Sequence, residues 1–465
     1  MSQSTTTACD TAGAVGLVGR ACAVAGKVRA LLLGGGDRAT DRRNALVAFS
    51  VRIASAAILF LSQVALARWM GADQFGIYVY AWTLVLVLGG ISTAGLNVGA
   101  IRIVSELRER GAHDALRGFL LGSRVAVALV GTTLTGIVAA LVWKLAAPLA
   151  GSPWLTVSII LLAVPAYALT DLQDGICRGC GRIASALLAP YIIRPLLILG
   201  GIGALHAAGY PLDATLAALA AVAATWIAWA LQSLIVAREL RHVAPSGPRV
   251  YLGRSWTRTT APLLLMGAFD LAMQNIDVIA ISNLLAPTDA GIYFAGAKTM
   301  ALILFVHYAV GSSMASRFAA ISTRGDSDAL RMAVRDAVRW TFWPSLAMAA
   351  VMLALGRPLL ALFGPQFVAG YPVMCILAVA ILARAAIGPA ESLLNMTGGQ
   401  SDCARSLMIA ALTNLVLNMV LTPAFGIVGA AVAVSTAMTL GALLNWRAAR
   451  RNLGLDIGIW ASGNT

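Results

Sequence analysis

The stretch at 71–80 reads GADQFGIYVY, and a second stretch at 286–295 reads APTDAGIYFA. Their Gly-Ile-Tyr cores begin at Gly76 and Gly291 and therefore lie 215 residues apart. Two further matches follow in the same order: Arg102 with Arg317 at the same offset, and DALR at 114–117 with DALR at 328–331. Three matches in one order indicate that the chain consists of two related halves.

The composition assigns the chain to the polytopic membrane proteins. Of its 465 residues, 59% are hydrophobic and only 12% are charged, and the mean hydropathy is +0.82. A soluble domain has about 25% charged residues, so this chain lacks the polar surface that such a domain needs. Twelve apolar runs approach the length that crosses a bilayer. They lie near 46–66, 77–100, 118–143, 154–172, 183–205, 213–237, 259–285, 289–315, 337–356, 371–394, 403–423 and 426–447.

The fourth of these runs is interrupted, because it contains Pro165 and ends at Asp171. A proline inside a membrane helix leaves a backbone carbonyl group without its usual hydrogen bond. Such a helix is tolerated when neighbouring helices satisfy that carbonyl group. The run at 154–172 is therefore the weakest of the twelve candidate spans.

Arginine and lysine residues alternate between the predicted loops. Every second loop, together with both tails, holds 26 of the 34 basic residues, whereas the intervening loops hold 3. Cytoplasmic loops carry the basic excess, so both termini are predicted to be cytoplasmic. The net charge of +14 then reflects orientation and attraction to anionic lipids of the bilayer. Because the basic residues are spread over seven segments, nucleic acid is not an expected partner.

The predicted fold is all-α, with about twelve transmembrane helices in two parallel six-helix bundles. The first and seventh spans both run outward, so the halves are related by an axis along the membrane normal, as in transporters with two such bundles. Two similar bundles around a central cleft can rock between inward-open and outward-open states. The predicted regions are a cytoplasmic tail at 1–44, bundles at 45–237 and 259–448, a cytoplasmic linker at 238–258, and a cytoplasmic tail at 449–465.

The sequence around the duplicated motif resembles a known family. The relevant stretches are VALARWMGADQFGIYVYAWTLVLVLGGISTAGL at 64–96, AIRIV at 100–104, and NIDVIAISNLLAPTDAGIYFAGA at 275–297. They are similar to the polysaccharide transport family, which includes Wzx-type flippases of lipid-linked oligosaccharides. That family belongs to the MOP exporter superfamily, which also contains lipid II flippases and MATE multidrug transporters.

The resemblance implies a transporter rather than an enzyme. Such a protein moves an undecaprenyl-diphosphate-linked glycan from the inner to the outer leaflet of a bacterial plasma membrane by alternating access. The lipid tail stays in the bilayer while the sugar and the pyrophosphate pass through the cleft. The sequence leaves open which glycan is carried, what drives the cycle, and whether polymerase or glycosyltransferase proteins bind the chain.

Charged residues inside the predicted spans are the first candidates for function, because each costs about 2.5–3.5 kcal/mol on insertion scales. The basic candidates are Arg52, Arg124, Arg194, Lys298 and Arg384. An excess of basic groups suits a pyrophosphate, since one guanidinium group can bind two phosphate oxygens at once. Arg52 and Arg124 lie close enough to the cytoplasmic edge for snorkelling to explain them equally well. Arg194 and Arg384 lie near mid-span, where a structural pair with an aspartate or a carbonyl group is the alternative.

The acidic candidates suggest coupling to an ion. Asp270, Gln274 and Asp277 have the spacing i, i+4 and i+7, which places them on one face of the seventh helix. A buried carboxylate can bind H⁺ or Na⁺. The alternative is that Asp277 pairs with a basic residue of a neighbouring helix. Glu391 lies near the inner end of its span and is a candidate gate residue.

Other chemistries lack their residue patterns. The CxxC at Cys177 and Cys180 has no second Cys or His pair nearby to complete a zinc site, and we expect neither a metal nor a cofactor. Without a nucleotide-binding motif, ATP-driven pumping by this chain is not expected. A multidrug exporter of the MATE type is the main alternative, although it favours an acidic, aromatic cavity. A membrane glycosyltransferase or polymerase would carry a large outer loop, whereas every loop here is short.

Overall fold

A computed structural model of the chain describes residues 37–146, 152–243, 247–324 and 326–460. Helices dominate these residues, and no strand occurs among them. The helices are α1 (Asp37–Ser92), α2 (Leu96–Glu109), α3 (His113–Ala146), α4 (Ser152–Ile160), α5 (Val164–Gly179), α6 (Ile183–Leu188), α7 (Arg194–Ala207), α8 (Ala214–Val243), α9 (Gly253–Leu284), α10 (Pro287–Ala301), α11 (Leu304–Arg324), α12 (Ser327–Ala354), α13 (Gly356–Phe363), α14 (Tyr371–Ile387), α15 (Ala390–Met396) and α16 (Gln400–Leu453).

The two longest helices are each broken at a glycine with positive φ. Helix α1 breaks at Gly71 (φ 78°) and α16 breaks at Gly426 (φ 61°). Beyond the second break, a Cβ atom on Gly429 would overlap the carbonyl oxygen of Leu421. In a straight helix these residues would be about 12 Å apart, at about 1.5 Å per residue. The chain therefore reverses direction at Gly426, and α16 is a hairpin of two spans.

The helices confirm the predicted class of all-α, multi-pass membrane protein. Among the residues described, nine helices are long and apolar enough to cross a membrane. The number rises to ten if α10 and α11, which meet at an angle of 40°, form one span. These include both broken helices, and dividing those two at their glycines would give the twelve predicted spans. The number twelve and the cytoplasmic position of both termini stay predictions.

The predicted domain boundaries also stay predictions. Most of the tail at 1–44, part of the linker at 238–258, and 461–465 lie outside the described residues. Where the linker is described, it packs against the first DALR stretch. The backbone N–H of Val250 donates to the carbonyl oxygen of Asp114 (3.0 Å), and Nε of Arg117 donates to that of Pro248 (2.8 Å).

The two Gly-Ile-Tyr copies contact each other. They lie on α1 and α10, and a Cβ atom on Gly76 would overlap the carbonyl oxygen of Pro287. A Cβ atom on Gly291 would lie 2.6 Å from the carbonyl oxygen of Ala72. The rings of Phe75 and Phe294 pack edge to face beside them, with centroids 6.0 Å apart. The duplicated motif is thus one place where the backbones of the two halves meet; Gly95, where a Cβ atom would lie 2.6 Å from the carbonyl oxygen of Thr260, is another.

The interrupted fourth run is helical on both sides of Pro165. The helix tightens into a 3₁₀ turn at Leu161–Ala163, because Pro165 has no N–H group to continue the α-helical bonds. Oγ1 of Thr135 donates to the carbonyl oxygen of Leu161 (3.5 Å), and Nε1 of Trp226 donates to that of Leu162 (3.0 Å). Helices α3 and α8 therefore satisfy carbonyl groups at the interruption, which is the condition under which a membrane helix tolerates a proline.

Candidate functional site

A cavity of about 330 Å³ lies between the two halves. Phe60 and Gln63 of α1 line it on one side, and Phe294, Lys298 and Tyr308 of α10 and α11 line it on the other. Lys298 is the one charged residue among those that line this cavity. Its Nζ atom lies 5.0 Å from the ring centroid of Phe294, and its side chain is exposed. An ammonium group in an aromatic, largely apolar cavity favours an anionic ligand.

Arg194 lies inside the first half against two aromatic rings. Its guanidinium carbon is 4.8 Å from the ring centroid of Tyr167 and 5.6 Å from that of Trp82. It also interacts electrostatically with Asp171, which accepts a hydrogen bond from Nδ2 of Asn97 (2.8 Å). These contacts join α7 to α1 and α5, so the guanidinium group of Arg194 lies against neighbouring helices rather than pointing out toward lipid.

The local sequence explains the orientation of the Arg194 side chain. Directly before it, the chain forms a π-helical turn at Ala189–Ile193, with Pro190 near the start of the turn and Pro195 just after it. Two prolines remove two backbone donors and so favour a wider turn, and such turns are frequent at functional sites. Room for the Tyr167 ring comes from Gly89 of α1, where any Cβ atom would overlap that ring.

A second charged cluster lies in the other half. Nη2 of Arg384 is 2.8 Å from Oε1 of Glu391, an ion pair that joins α14 to α15. Both residues interact electrostatically with Asp270 and with His307. Nε2 of Gln274 donates to Oδ2 of Asp270 (2.7 Å). The gate candidate Glu391, the cation Arg384 and two of the ion-coupling candidates are therefore neighbours in one cluster.

Asp277 stands apart from this cluster. It is buried, and its Oδ2 atom accepts a hydrogen bond of 2.6 Å from the hydroxyl group of Tyr293. The backbone N–H of Val278 donates to its other oxygen (2.9 Å). Since Asp270 and Gln274 are exposed, the three residues of the predicted stripe do not share one environment. The direct hydrogen-bond partner of Asp277 is a tyrosine of the second Gly-Ile-Tyr copy. Asp277 also interacts electrostatically with Lys298 of α10, which is a basic residue of a neighbouring helix, as the alternative required.

The remaining cationic candidates have different surroundings. The side chain of Arg52 lies outside the described residues. Arg124 is partly buried and interacts with Cys177 of α5. Its Nε and Nη2 atoms are buried without a hydrogen-bond partner among the described residues. The guanidinium group therefore lies inside the first half rather than snorkelling to the surface.

The CxxC lies at the end of α5, where both thiols are free and buried. Burial raises the pKa of the Cys180 thiol above its ordinary value, and this favours the neutral thiol over the metal-binding thiolate. In the part of the chain that the structure describes, no three His, Cys, Asp or Glu side chains form a metal site.

Sequence reasoning did not identify several of these residues. Trp82 and Tyr167 form the aromatic surface under Arg194, and Asp171 and His307 are ionisable groups beside the predicted cations. Asp171 and His307 had a usable signal, because both are ionisable residues within predicted spans. Trp82 and Tyr167 had none, since a membrane helix is apolar on all sides and its pattern does not show which aromatic residues face inward.

A multi-pass helical protein with two related halves and a cavity between them has the architecture of a membrane transporter. The family model described as polysaccharide biosynthesis protein matches residues 42–315, which is more than half of the chain, and the chain belongs to that family. The MatE family model matches residues 262–424.

Two curated relatives are proteins of Haloferax volcanii. The probable low-salt glycan biosynthesis flippase Agl15 is 23% identical over 415 residues, covering 87% of this chain and 82% of the relative. The probable flippase AglR is 29% identical over 184 residues, covering 37% of each chain. These relatives agree with the resemblance to glycan flippases.

Solved structures of transporters share the fold. An inward-facing multidrug resistance MATE family transporter of the MOP superfamily has a TM-score of 0.71 at 14% identity, covering 87% of this chain and 98% of that one. The lipid II flippase MurJ in an inward closed conformation has a TM-score of 0.68 at 13% identity, covering 86% and 87%. A MOP superfamily transporter from Pyrococcus furiosus has a TM-score of 0.62 at 15% identity, covering 91% and 97%. The MOP-type fold is therefore confirmed.

Proposed function

We propose that the chain is a flippase that moves an undecaprenyl-diphosphate-linked oligosaccharide across the bacterial plasma membrane during surface polysaccharide synthesis. In this proposal the chain carries its substrate without making or breaking a covalent bond. Polymerase and glycosyltransferase proteins would supply the glycan or use it. Family membership and the flippase relatives support the class of substrate.

The observation that carries the proposal is the cavity between the halves with Lys298 in its wall. Its volume falls within the range of roughly 300–1,000 Å³ that is usual for ligand sites. A pyrophosphate crossing a medium of low dielectric needs a cation beside it, and an ammonium group binds phosphate as a point charge. The aromatic rings of Phe60, Phe294 and Tyr308 offer apolar faces to sugar rings.

Arg194 supplies a second cation, on the first half. The rings of Trp82 and Tyr167 restrict the guanidinium group by cation–π contact. A restricted guanidinium group loses little conformational entropy when it binds a phosphate. We infer that Lys298 and Arg194 bind the diphosphate at different stages of its passage, one from each half.

Movement of the halves follows from the contact between the two Gly-Ile-Tyr copies. Gly76 and Gly291 bring α1 and α10 together at the end of the spans that the topology predicts to be outer. With that topology, the described conformation corresponds to a state in which the outer side is closed. Opening requires these two helices to separate, which is the step that alternating access demands.

The carboxylates supply candidates for ion coupling by H⁺ or Na⁺. Asp270 with Gln274 is exposed beside the Arg384–Glu391 pair, whereas Asp277 is buried against Tyr293. Binding of a cation at either carboxylate would change its hydrogen bonds and so favour one arrangement of the second half. Glu391 would act as a gate residue by exchanging its contact with Arg384.

The test is transport by the purified chain in liposomes that contain a fluorescent undecaprenyl-diphosphate glycolipid. Movement is measured as the fraction of glycan reached by an added lectin or glycosidase. We expect Lys298→Gln to slow movement at least tenfold. Lys144→Gln is the matched control, because Lys144 is an exposed residue at the end of α3 and should have no effect. Equal rates for Lys298→Gln and the unaltered chain would contradict the proposal.

A multidrug exporter is the second candidate. The MatE model match over residues 262–424 and the buried carboxylate of Asp277 are the observations that favour it. The same liposomes distinguish the two functions, since an exporter would move an organic cation along an ion gradient and leave the glycolipid in place.

A further inference from the structure

The segment after the last helix folds back onto the second half. Helix α16 ends at Leu453, and Gly454 adopts a left-handed conformation (φ 65°) that turns the chain. Leu455 is 4% exposed and Ile457 is 1% exposed. They belong to a buried cluster formed with residues of α11, α12, α14 and α15. We call Gly454–Trp460 the terminal strap.

The terminal strap is also fixed by polar and aromatic contacts. Nε1 of Trp446 in α16 donates to Oδ1 of Asp456 (2.8 Å). The ring of Trp460 packs against the same indole at a centroid distance of 6.3 Å. A short segment with two buried aliphatic residues and two anchoring contacts has one defined position.

One backbone contact of the terminal strap reaches a break in a membrane helix. The backbone N–H of Ile459 donates to the carbonyl oxygen of Ala386 (2.8 Å). Helix α14 ends at Ile387, and Gly388 leaves the helix with φ 75°. The N–H of Ala390, which would bond Ala386 in a continuous helix, bonds Gly388 instead. The terminal strap therefore satisfies a carbonyl group that the break sets free.

The same break separates the two members of the charged cluster. Arg384 lies before it in α14 and Glu391 lies after it in α15, and their ion pair of 2.8 Å spans it. The direction in which α15 leaves α14 thus decides whether these groups meet. A Cβ atom on Gly388 would lie 2.6 Å from the side chain of Val338, so the break is packed against α12 on its other side.

We propose that the terminal strap is a positioning element, which holds the break between α14 and α15 in the geometry that brings Arg384 to Glu391. It acts by occupying the carbonyl group of Ala386 and by burying Leu455 and Ile457 beneath the break. Its effect on transport rests on the proposed function, whereas its effect on the geometry of the break does not.

The geometry is tested with a thiol that the chain already has. Cys403 is 8% exposed and belongs to the same buried cluster as Leu455 and Ile457. Ile459→Pro removes the N–H donor, and a chain lacking 454–465 removes the whole terminal strap. We expect either change to raise the rate at which maleimide labels Cys403 at least tenfold, as read by mass spectrometry.

Three controls accompany the labelling experiment. Ile459→Leu keeps the N–H group, and deletion of 461–465 keeps Gly454–Trp460, so neither should change the rate. Cys177 is 2% exposed in the first half and should stay unlabelled in every variant, which shows that the chain remains folded. If Cys403 labelling is unchanged in both strap variants, the proposal is overturned.

Transport in the glycolipid liposomes supplies the second measurement. In a chain that keeps Glu391, we expect the strap variants to slow flipping at least fivefold. In a chain that carries Glu391→Gln, which already removes the ion pair, the strap variants should have no further effect. Full additivity with Glu391→Gln would overturn the positioning role. If the unaltered chain moves no glycolipid, the proposed function fails, while the labelling result still decides the role of the terminal strap.

Discussion

Gly76 and Gly291, the first residues of the two Gly-Ile-Tyr copies, lie against each other's helices with no room for a side chain at either position. The nitrogen of Gly291 lies 3.1 Å, and that of Gly76 3.3 Å, from the place where the other residue's Cβ atom would be. This near-reciprocal relationship is what a twofold arrangement of two related halves produces. It gives the duplicated motif a structural purpose, which is to let two backbones approach closely.

Alanine at Gly76 or Gly291 should favour the outward-open state. Overpacking costs about 1–3 kcal/mol, and that cost falls on the closed state alone. At about 1.4 kcal/mol per factor of ten, the closed population drops about 5- to 150-fold relative to the open one. The distance between spectroscopic labels attached near Gly76 in α1 and near Gly291 in α10 measures the change. Transport in liposomes is measured in parallel.

Gly136→Ala is the control for this substitution. A Cβ atom there meets no other atom within 4 Å, so both distance and transport should stay unchanged. A Gly291→Ala variant with an unaltered distance distribution would show that the contact does not close the outer side.

Tyr293→Phe should lower the free energy of unfolding by about 1.5–3 kcal/mol, which is the usual contribution of a hydrogen bond to a charged group. The substitution leaves the buried carboxylate of Asp277 without its hydroxyl donor. Thermal unfolding in detergent measures the loss. Tyr80→Phe is the matched control, because its hydroxyl group makes only a long, exposed contact of 3.4 Å with Asn283.

Asp277→Asn tests ion coupling at the same site. The asparagine amide does not take up a proton near neutral pH and binds Na⁺ weakly. Coupled transport should therefore lose its dependence on the ion gradient. Transport equal to that of the unaltered chain at every pH and sodium concentration would exclude Asp277 as a coupling residue.

Arg194→Lys should slow transport at least fivefold although it preserves the charge. An ammonium group cannot lie flat on Trp82 and Tyr167 or bind two phosphate oxygens in the manner of a guanidinium group. Arg357→Lys is the control, since Arg357 packs on the ring of Tyr371 at 5.3 Å in the second half and is not a proposed ligand of the diphosphate. A similar loss in both variants would indicate a general effect of removing cation–π contacts.

Gly429→Ala should prevent the hairpin in α16 from closing. The added methyl group would overlap the carbonyl oxygen of Leu421, and the expected destabilisation is about 1–3 kcal/mol. The amount of folded chain recovered from membranes measures it. Gly200→Ala, at a position with no atom within 4 Å of the added carbon, should be recovered like the unaltered chain.

Composition and periodicity predicted the features that depend on apolar length. The all-α class and the multi-pass organisation follow from the cost of an exposed peptide group in a bilayer. The duplication was equally visible, because it is a property of the sequence itself. Its spatial meaning was not, since an offset of 215 residues carries no information about distance.

The surroundings of the charged residues were beyond sequence reasoning for a different reason. A membrane helix is apolar on all sides, so its pattern does not show which face turns inward. The spacing of Asp270, Gln274 and Asp277 was read as one face, yet only Asp277 meets Tyr293. The terminal strap gave no signal at all, because its two buried residues, Leu455 and Ile457, are too few to form a recognisable apolar run.

The junction at Gly76 and Gly291 is made of main chain, and this bears on the direction of travel. In the proposed function, a glycan at the outer surface would meet, at these two positions, peptide units within helices and no side chain. Neither position offers a sugar hydroxyl group a competing hydrogen bond. The junction can therefore re-form behind a departing sugar without first releasing it from a binding group.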